Sequence, residues 1–184
     1  GNPEPEQLTD YELGWRYKKD GFVVNANLYY MRYKDQLILT GELDDVGNPI
    51  RANSGKSYRL GLEIDANIKL SQRFYVQPNV AVSSNKNIDF FGNIDGQLRD
   101  LGQTDLSFSP NIVIGNAFIY KPMGNMQISL LSKYVGEQYM SNFSSAISDN
   151  DVLDSYFVND LNISYDIKTK SIFKSISISA LINN

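Results

Sequence analysis

The sequence predicts an all-β chain: an antiparallel up-and-down meander of about eight strands in the manner of a transmembrane β-barrel. Three observations predict it. Apolar residues alternate with polar ones over long stretches, connections alternate between short and long, and aromatic residues gather at both ends of the stretches.

Side chains on a strand point alternately to opposite faces, so a period of two marks a sheet with unlike faces. The first strand is DYELGWRYK, where Tyr11, Leu13, Trp15 and Tyr17 oppose Glu12, Gly14, Arg16 and Lys18. In the second, FVVNANLYYM, Phe22, Val24, Ala26, Leu28 and Tyr30 oppose Val23, Asn25, Asn27 and Tyr29. The third, Tyr58 to Leu70, is the cleanest. Leu60, Leu62, Ile64, Ala66, Ile68 and Leu70 alternate with Arg59, Gly61, Glu63, Asp65, Asn67 and Lys69. A charged residue on a lipid-facing strand costs about 2–4 kcal/mol near the midplane if basic, so the aliphatic set faces lipid and the charged set a wet interior.

The fourth strand, Phe74 to Ser83, sets Phe74, Val76, Val80 and Val82 on the apolar side. Pro78 falls on that side without a ladder donor, which predicts a bulge or distortion. The fifth, NIVIGNAFIY, is apolar on both faces, and its orientation stays open. The sixth, MQISLLSKYV, offers Met126, Ile128, Leu130 and Tyr134 on one side. The seventh, DLNISYDI, sets Leu161, Ile163, Tyr165 and Ile167 against Asp160, Asn162, Ser164 and Asp166. In the eighth, Ile176, Ile178, Ala180 and Ile182 alternate with Ser175, Ser177 and Ser179.

Short turns lie near Lys18–Gly21, Leu70–Arg73, Lys121–Asn125 and Lys168–Ser171; long loops span Asp35 to Ser57, Ser84 to Asp105, and Gly136 to Asp154. Short turns on one rim and long loops on the other belong to a barrel meander, whereas a soluble sandwich mixes both at each end. Trp15, Tyr17, Phe22, Phe74, Tyr75, Tyr120, Tyr165 and Phe173 lie beside the short turns. Tyr30, Tyr33, Tyr58, Phe108, Tyr134, Tyr139 and Tyr156 lie near the long loops. Amphipathic rings at both ends with aliphatics between them predict the two interfacial girdles of a membrane-spanning barrel.

Composition narrows the chemistry. The formal charge of −4 gives no electrostatic case for nucleic acid. No cysteine or histidine is present, which removes thiolate metal sites, disulfides and histidine-based general-base catalysis. Glu63 and Asp65 share a face, but Arg59 and Lys69 beside them read as a charge-balanced lining. The acidic segments Gly41–Asn48 and Ser148–Asp154 lack the spacing of a twelve-residue calcium loop and read as solvated loops. No enzyme, catalytic residue, metal site or cofactor is expected.

Several segments resemble the C-terminal barrel region of TonB-dependent outer-membrane receptors, particularly those of Bacteroidetes. NPEPEQLTDYELGWRYK resembles the family's entry into a strand beginning Tyr-Glu-x-Gly; NLYYMRYKDQL resembles its Tyr-Tyr-x-x-Tyr-x-Asp strand end. SYRLGLEIDA, SKYVGEQYMSN and ISALINN resemble, in order, a Gly-x-Glu strand, a Tyr-Val-Gly-x-x-Tyr segment and a penultimate strand. The resemblance implies energy-coupled uptake of a scarce nutrient (ferric siderophore, haem, cobalamin or glycan) across the outer membrane of a Gram-negative bacterium. The partners it implies are outer-membrane lipid, a small-molecule nutrient, and TonB through a plug region. The chain opens GNPEPEQL without a leading Met. Residues 1–184 are accordingly expected to be one region, a partial barrel lacking the plug domain and the final strand. A self-contained eight-stranded barrel and a soluble β-sandwich, acting as binding or adhesion modules, are the alternatives.

Binding residues favour loops held on a rigid scaffold. The two longest loops carry Arg51, Lys56, Lys86, Phe90, Phe91 and Arg99, the candidate ligand-binding set. Cations and rings together suit an anionic or ring-bearing ligand.

Overall fold

The computed structural model describes residues 4–43, 45–53, 55–94, 97–142, 151–169 and 173–184. The described strands are β1 (Gln7–Lys19), β2 (Phe22–Lys34), β3 (Leu37–Leu43), β4 (Pro49–Asn53), β5 (Lys56–Lys69), β6 (Phe74–Ile94), β7 (Gln97–Asp105), β8 (Ile112–Met123), β9 (Met126–Val135), β10 (Gln138–Tyr139), β11 (Val152–Leu153), β12 (Tyr156–Lys168) and β13 (Ser175–Ile182). One antiparallel sheet runs β1-β2-β5-β6-β8-β9-β12-β13, and β7 pairs with the far end of β6. These eight wall strands are the eight read from the alternation. The remaining strands lie in the stretches expected as loops: β3 pairs with β4, and β10 with β11.

Register carries the alternation from strand to strand. Leu13 pairs with Leu28, Leu28 with Leu62, Leu62 with Val82, and Val82 with Ile112, so one row across five strands is aliphatic. Among the described residues no second layer covers it: Leu62 is 41% and Val82 50% exposed. A sandwich would bury this row between sheets, and the sandwich alternative is therefore excluded. Among the described residues β1 and β13 are not paired with each other, so the eight strands do not close into a barrel of their own.

Strand β8 takes its orientation from β6. Val82, Val80, Val76 and Phe74 pair with Ile112, Ile114, Phe118 and Tyr120, which puts those four on the aliphatic face. Asn116 falls on the same face, opposite Pro78 and beside Ser132. Its side-chain amide is shielded and without a hydrogen-bond partner. The distortion expected at Pro78 takes the form of a gap in the ladder and not of a bulge. The missing proline donor interrupts the bridges between Asp65–Asn79 and Ile68–Val76, yet the register is the same on both sides. Pairing with β8 runs through Pro78 without a break.

The short turns are cross-braced. Gly21 adopts left-handed backbone (φ 73°), and its carbonyl accepts from Lys69 N at 2.7 Å. Ser71 Oγ accepts from the amides of Arg73 and Phe74, both at 3.1 Å. Of the fourth short turn, Lys168–Ser171, residues 170–171 lie outside the described residues. Buried apolar side chains, Phe90, Leu106 and Val135, occur at the long-loop end.

The girdle rings sort by parity. On the aliphatic face Trp15 stacks beside Tyr17, Phe74 lies 4.4 Å from Tyr120, and Tyr30 approaches Tyr58. Tyr33, Tyr75 and Tyr156 instead pair with Ser57, Lys69 and Val135 and belong to the polar face. Nearness to a strand end does not fix the face; register does.

One ladder row links Trp15, Ala26, Ile64, Val80, Ile114, Tyr134 and Phe157. It begins near the short turns and ends near the long loops, so the strands are tilted. The register carries Tyr17 to Asn159, six residues before Tyr165, the short-turn ring of β12. That is one residue (~3.3 Å) per strand spacing (~4.8 Å), or a tilt of roughly 35°, within the range of closed barrels.

Candidate ligand-binding rim and inner wall

The polar face is the concave side, since the recesses of the sheet open on it. Its rows join Asn25 to Asp65 by a 2.8 Å hydrogen bond from Nδ2 to Oδ2. Tyr29 pairs with Gly61, and its phenol ring occupies the space a Cβ at Gly61 would need. Gly115 is overlaid in the same way by the Asn79 amide, 2.7 Å from an ideal Cβ. Around Gly115 a recess of about 540 Å³ mixes Val113, Ala117, Leu131 and Val158 with polar side chains, among them Asp65, Asn67, Gln77, Lys133 and Asp160. The double apolar pattern of β8 supplies part of that floor.

Above the wall, β6 and β7 continue as a hairpin. Lys86 Nζ meets Asp105 Oδ1 at 2.5 Å, and Asn87 Nδ2 donates to Thr104 Oγ1 at 3.0 Å in a buried pair. Two register shifts follow, between Asn87 and Phe90 and between Phe90 and Phe91. The two phenylalanines, consecutive on the strand, face opposite ways: Phe90 is 2% exposed, Phe91 51%. The base of the hairpin rests on the start of β5. A Cβ at Gly55 would lie 2.6 Å from the Asp89 carbonyl, and Lys56 Nζ stands 3.8 Å from Asp89 Oδ2. The β3–β4 hairpin is tied through Asn53, whose Nδ2 donates to the carbonyls of Asp35 (2.7 Å) and Glu4 (2.9 Å).

The six candidate residues thus separate into two groups. Lys56, Lys86 and Phe90 brace the hairpin: two in ion pairs, one in its core. Arg51 on β4, Phe91 on β6 and Arg99 on β7 are exposed on the rim. Phe91 and Arg99 stand on facing strands one pairing apart, since Phe91 pairs with Asp100 and Gly92 with Arg99. Of the acidic segments, residues 44 and 148–150 lie outside the described residues.

Residues that sequence reasoning missed lie between β7 and β8. Phe108, read as a girdle ring, instead lines a polar-face recess of about 380 Å³ together with Arg59, Glu12, Glu63, Tyr29 and Asn85. The Arg59 guanidinium carbon lies 5.7 Å from the Tyr33 ring centroid. The signal available in sequence was the Ser-Phe-Ser-Pro turn composition, which marks a turn without telling where it folds.

A tilted, single-layer meander with an aliphatic convex face and a polar concave one is a segment of a large barrel wall. Residues 1–184 match the family described as TonB dependent receptor-like, beta-barrel, and the chain belongs to it. Solved structures agree in fold. A mutant of the ferric enterobactin receptor PfeA from Pseudomonas aeruginosa has a TM-score of 0.66 at 16% identity, over 97% of this chain and 25% of that one. The copper transporter OprC has a TM-score of 0.70 at 19% identity, over 100% and 26%. The siderophore receptor PiuA from Acinetobacter baumannii has a TM-score of 0.67 at 14% identity, over 97% and 24%. The chain spans about a quarter of the length of these structures.

Proposed function

We propose that the chain is part of the barrel of a Bacteroidetes-type TonB-dependent receptor in the outer membrane of a Gram-negative bacterium. The receptor takes up a scarce nutrient, a ferric siderophore, haem, cobalamin or glycan, with TonB engaged through a plug region outside residues 1–184. Lipid contacts the aliphatic face, further strands of the barrel pair with the free edges of β1 and β13, and the final strand lies outside this segment. The observation that carries the reading is the uncovered aliphatic row from Leu13 to Ile112, bounded by rings at both ends. In water an apolar patch of that extent would drive association; in a bilayer it is solvated.

Recognition is assigned to the long-loop rim. Arg51, Phe91 and Arg99 meet the ligand there, and Lys56, Lys86 and Phe90 hold their hairpins in place. The support is the exposure of the first three and the ion pairs and burial of the others. The test is made in the full-length receptor, replacing the β3–β4 and β6–β7 tips with short turns. Nutrient-dependent growth and ligand affinity should fall by at least about tenfold, roughly 1.4 kcal/mol. Unchanged affinity after both replacements would move recognition away from this rim.

A further inference from the structure

The connection after β7 folds inward over the concave face instead of standing on the rim. Phe108 in this turn has left-handed backbone, φ 50°, which costs a bulky residue on the order of 1–3 kcal/mol. Its backbone is pinned on both sides. Phe108 N donates to the Tyr139 carbonyl at 2.8 Å, Ser107 N to Asn142 Oδ1 at 3.0 Å, and Leu106, buried, donates to the Asn85 carbonyl at 3.1 Å. The ring gains little from this, for it is 61% exposed at the edge of the 380 Å³ recess. Inside the recess Arg59 is a cation short of partners. Its Nε is shielded without a hydrogen bond, its guanidinium faces the Tyr33 ring, and none of the described carboxylates forms a salt bridge with it.

We propose that this recess is a binding site for a small, hydroxylated, ring-bearing solute with a single anionic group. The anion meets Arg59, the ring lies against Phe108, and Asn27, Asn85 and Glu63 take the hydroxyls. A charge-assisted bond answers the unmatched guanidinium better than a neutral acceptor would. Glu12 and Glu63 on the same lining repel a second negative charge. The volume sits at the small end of ligand pockets, about 300–1,000 Å³, and admits one ring. These residues are distinct from the rim set. The site rests on the reading of the concave face as the wall of a vestibule.

The experiment is calorimetric titration of the detergent-solubilised full-length receptor with 4-hydroxybenzoate and with the uncharged 4-hydroxybenzamide. The acid should bind about tenfold tighter than the amide. Arg59→Gln should abolish the difference, and Arg59→Lys should restore part of it. Phe108→Asn, which tolerates left-handed backbone but lacks the ring, should weaken both probes by about tenfold. Unchanged thermal unfolding of these variants shows that the wall still folds. Equal binding of acid and amide, no binding of either, or indifference to both substitutions overturns the proposal. Binding is read without transport, so loss of the uptake reading leaves this result interpretable, and the reverse holds too.

Discussion

Gly61 shows how narrowly a wall position can be specified. Tyr29, its cross-strand partner, lies over it, and any side chain there would enter the phenol ring. The tyrosine covers backbone that a glycine leaves bare, the arrangement used to pin register beside strand glycines. Gly61→Val should lower receptor stability by about 1–3 kcal/mol through overpacking, with Tyr29→Ala in the same protein removing most of that cost. Thermal unfolding of the two single variants and the double variant measures it; strictly additive effects would refute the contact. Other residues were less legible. Asn116 stands on the aliphatic face near Ser132, whose hydroxyl donates to Asn159 at 2.7 Å. A strand apolar on both faces offered no way to place it. Phe108 was misplaced for a related reason, since a ring near a loop can turn inward as readily as out.

At the scale of the element, the wall strands were readable because apolar residues alternate with polar ones along them, β8 excepted, whose two apolar faces left its orientation to the register with β6. The rim strands were not. In β3, β4 and β7 no such contrast runs along the chain, so TGELDDVGNPIR and FGNIDGQLRD read as loop. What organises the β6–β7 hairpin is long-range pairing that composition does not announce: Lys86 with Asp105, Asn87 with Thr104, and Phe90 in the core. Asp105→Asn should loosen this hairpin while leaving the wall intact, because the partly buried cation then lacks its counter-charge. Hydrogen exchange at the amides of β7 should quicken by roughly tenfold, about 1.4 kcal/mol, with β5 and β8 unchanged. Uniform exchange across hairpin and wall would contradict a separately stabilised rim. Neighbouring strand residues face opposite ways, so only one of the two adjacent phenylalanines reaches solvent.

At the scale of the molecule, two edges and a tilt define the piece. β1 and β13 each have a partner on one side within the described sheet, and both are exposed along their length. The isolated 184-residue chain should therefore associate through these edges, and a stable detergent-free monomer in light scattering would count against the open wall. Tilt was invisible to sequence. It emerged when the register showed the girdle rings drifting by one residue per strand.

The central claim is that one face of this wall meets lipid and the other an aqueous interior. Residues 1–184 contain no cysteine, so a single cysteine placed among them has no competing thiol within this segment. Spin labels at Leu62→Cys, Ile64→Cys and Ile68→Cys, and at Glu63→Cys, Asp65→Cys and Asn67→Cys, should be compared in the full-length receptor in bilayers. The first three should be relaxed preferentially by oxygen, which partitions into lipid, and the second three by a water-soluble nickel chelate. Oxygen and nickel accessibility should then alternate with a period of two along β5. Accessibility without that alternation, or aliphatic positions shielded from both reagents, would contradict the account.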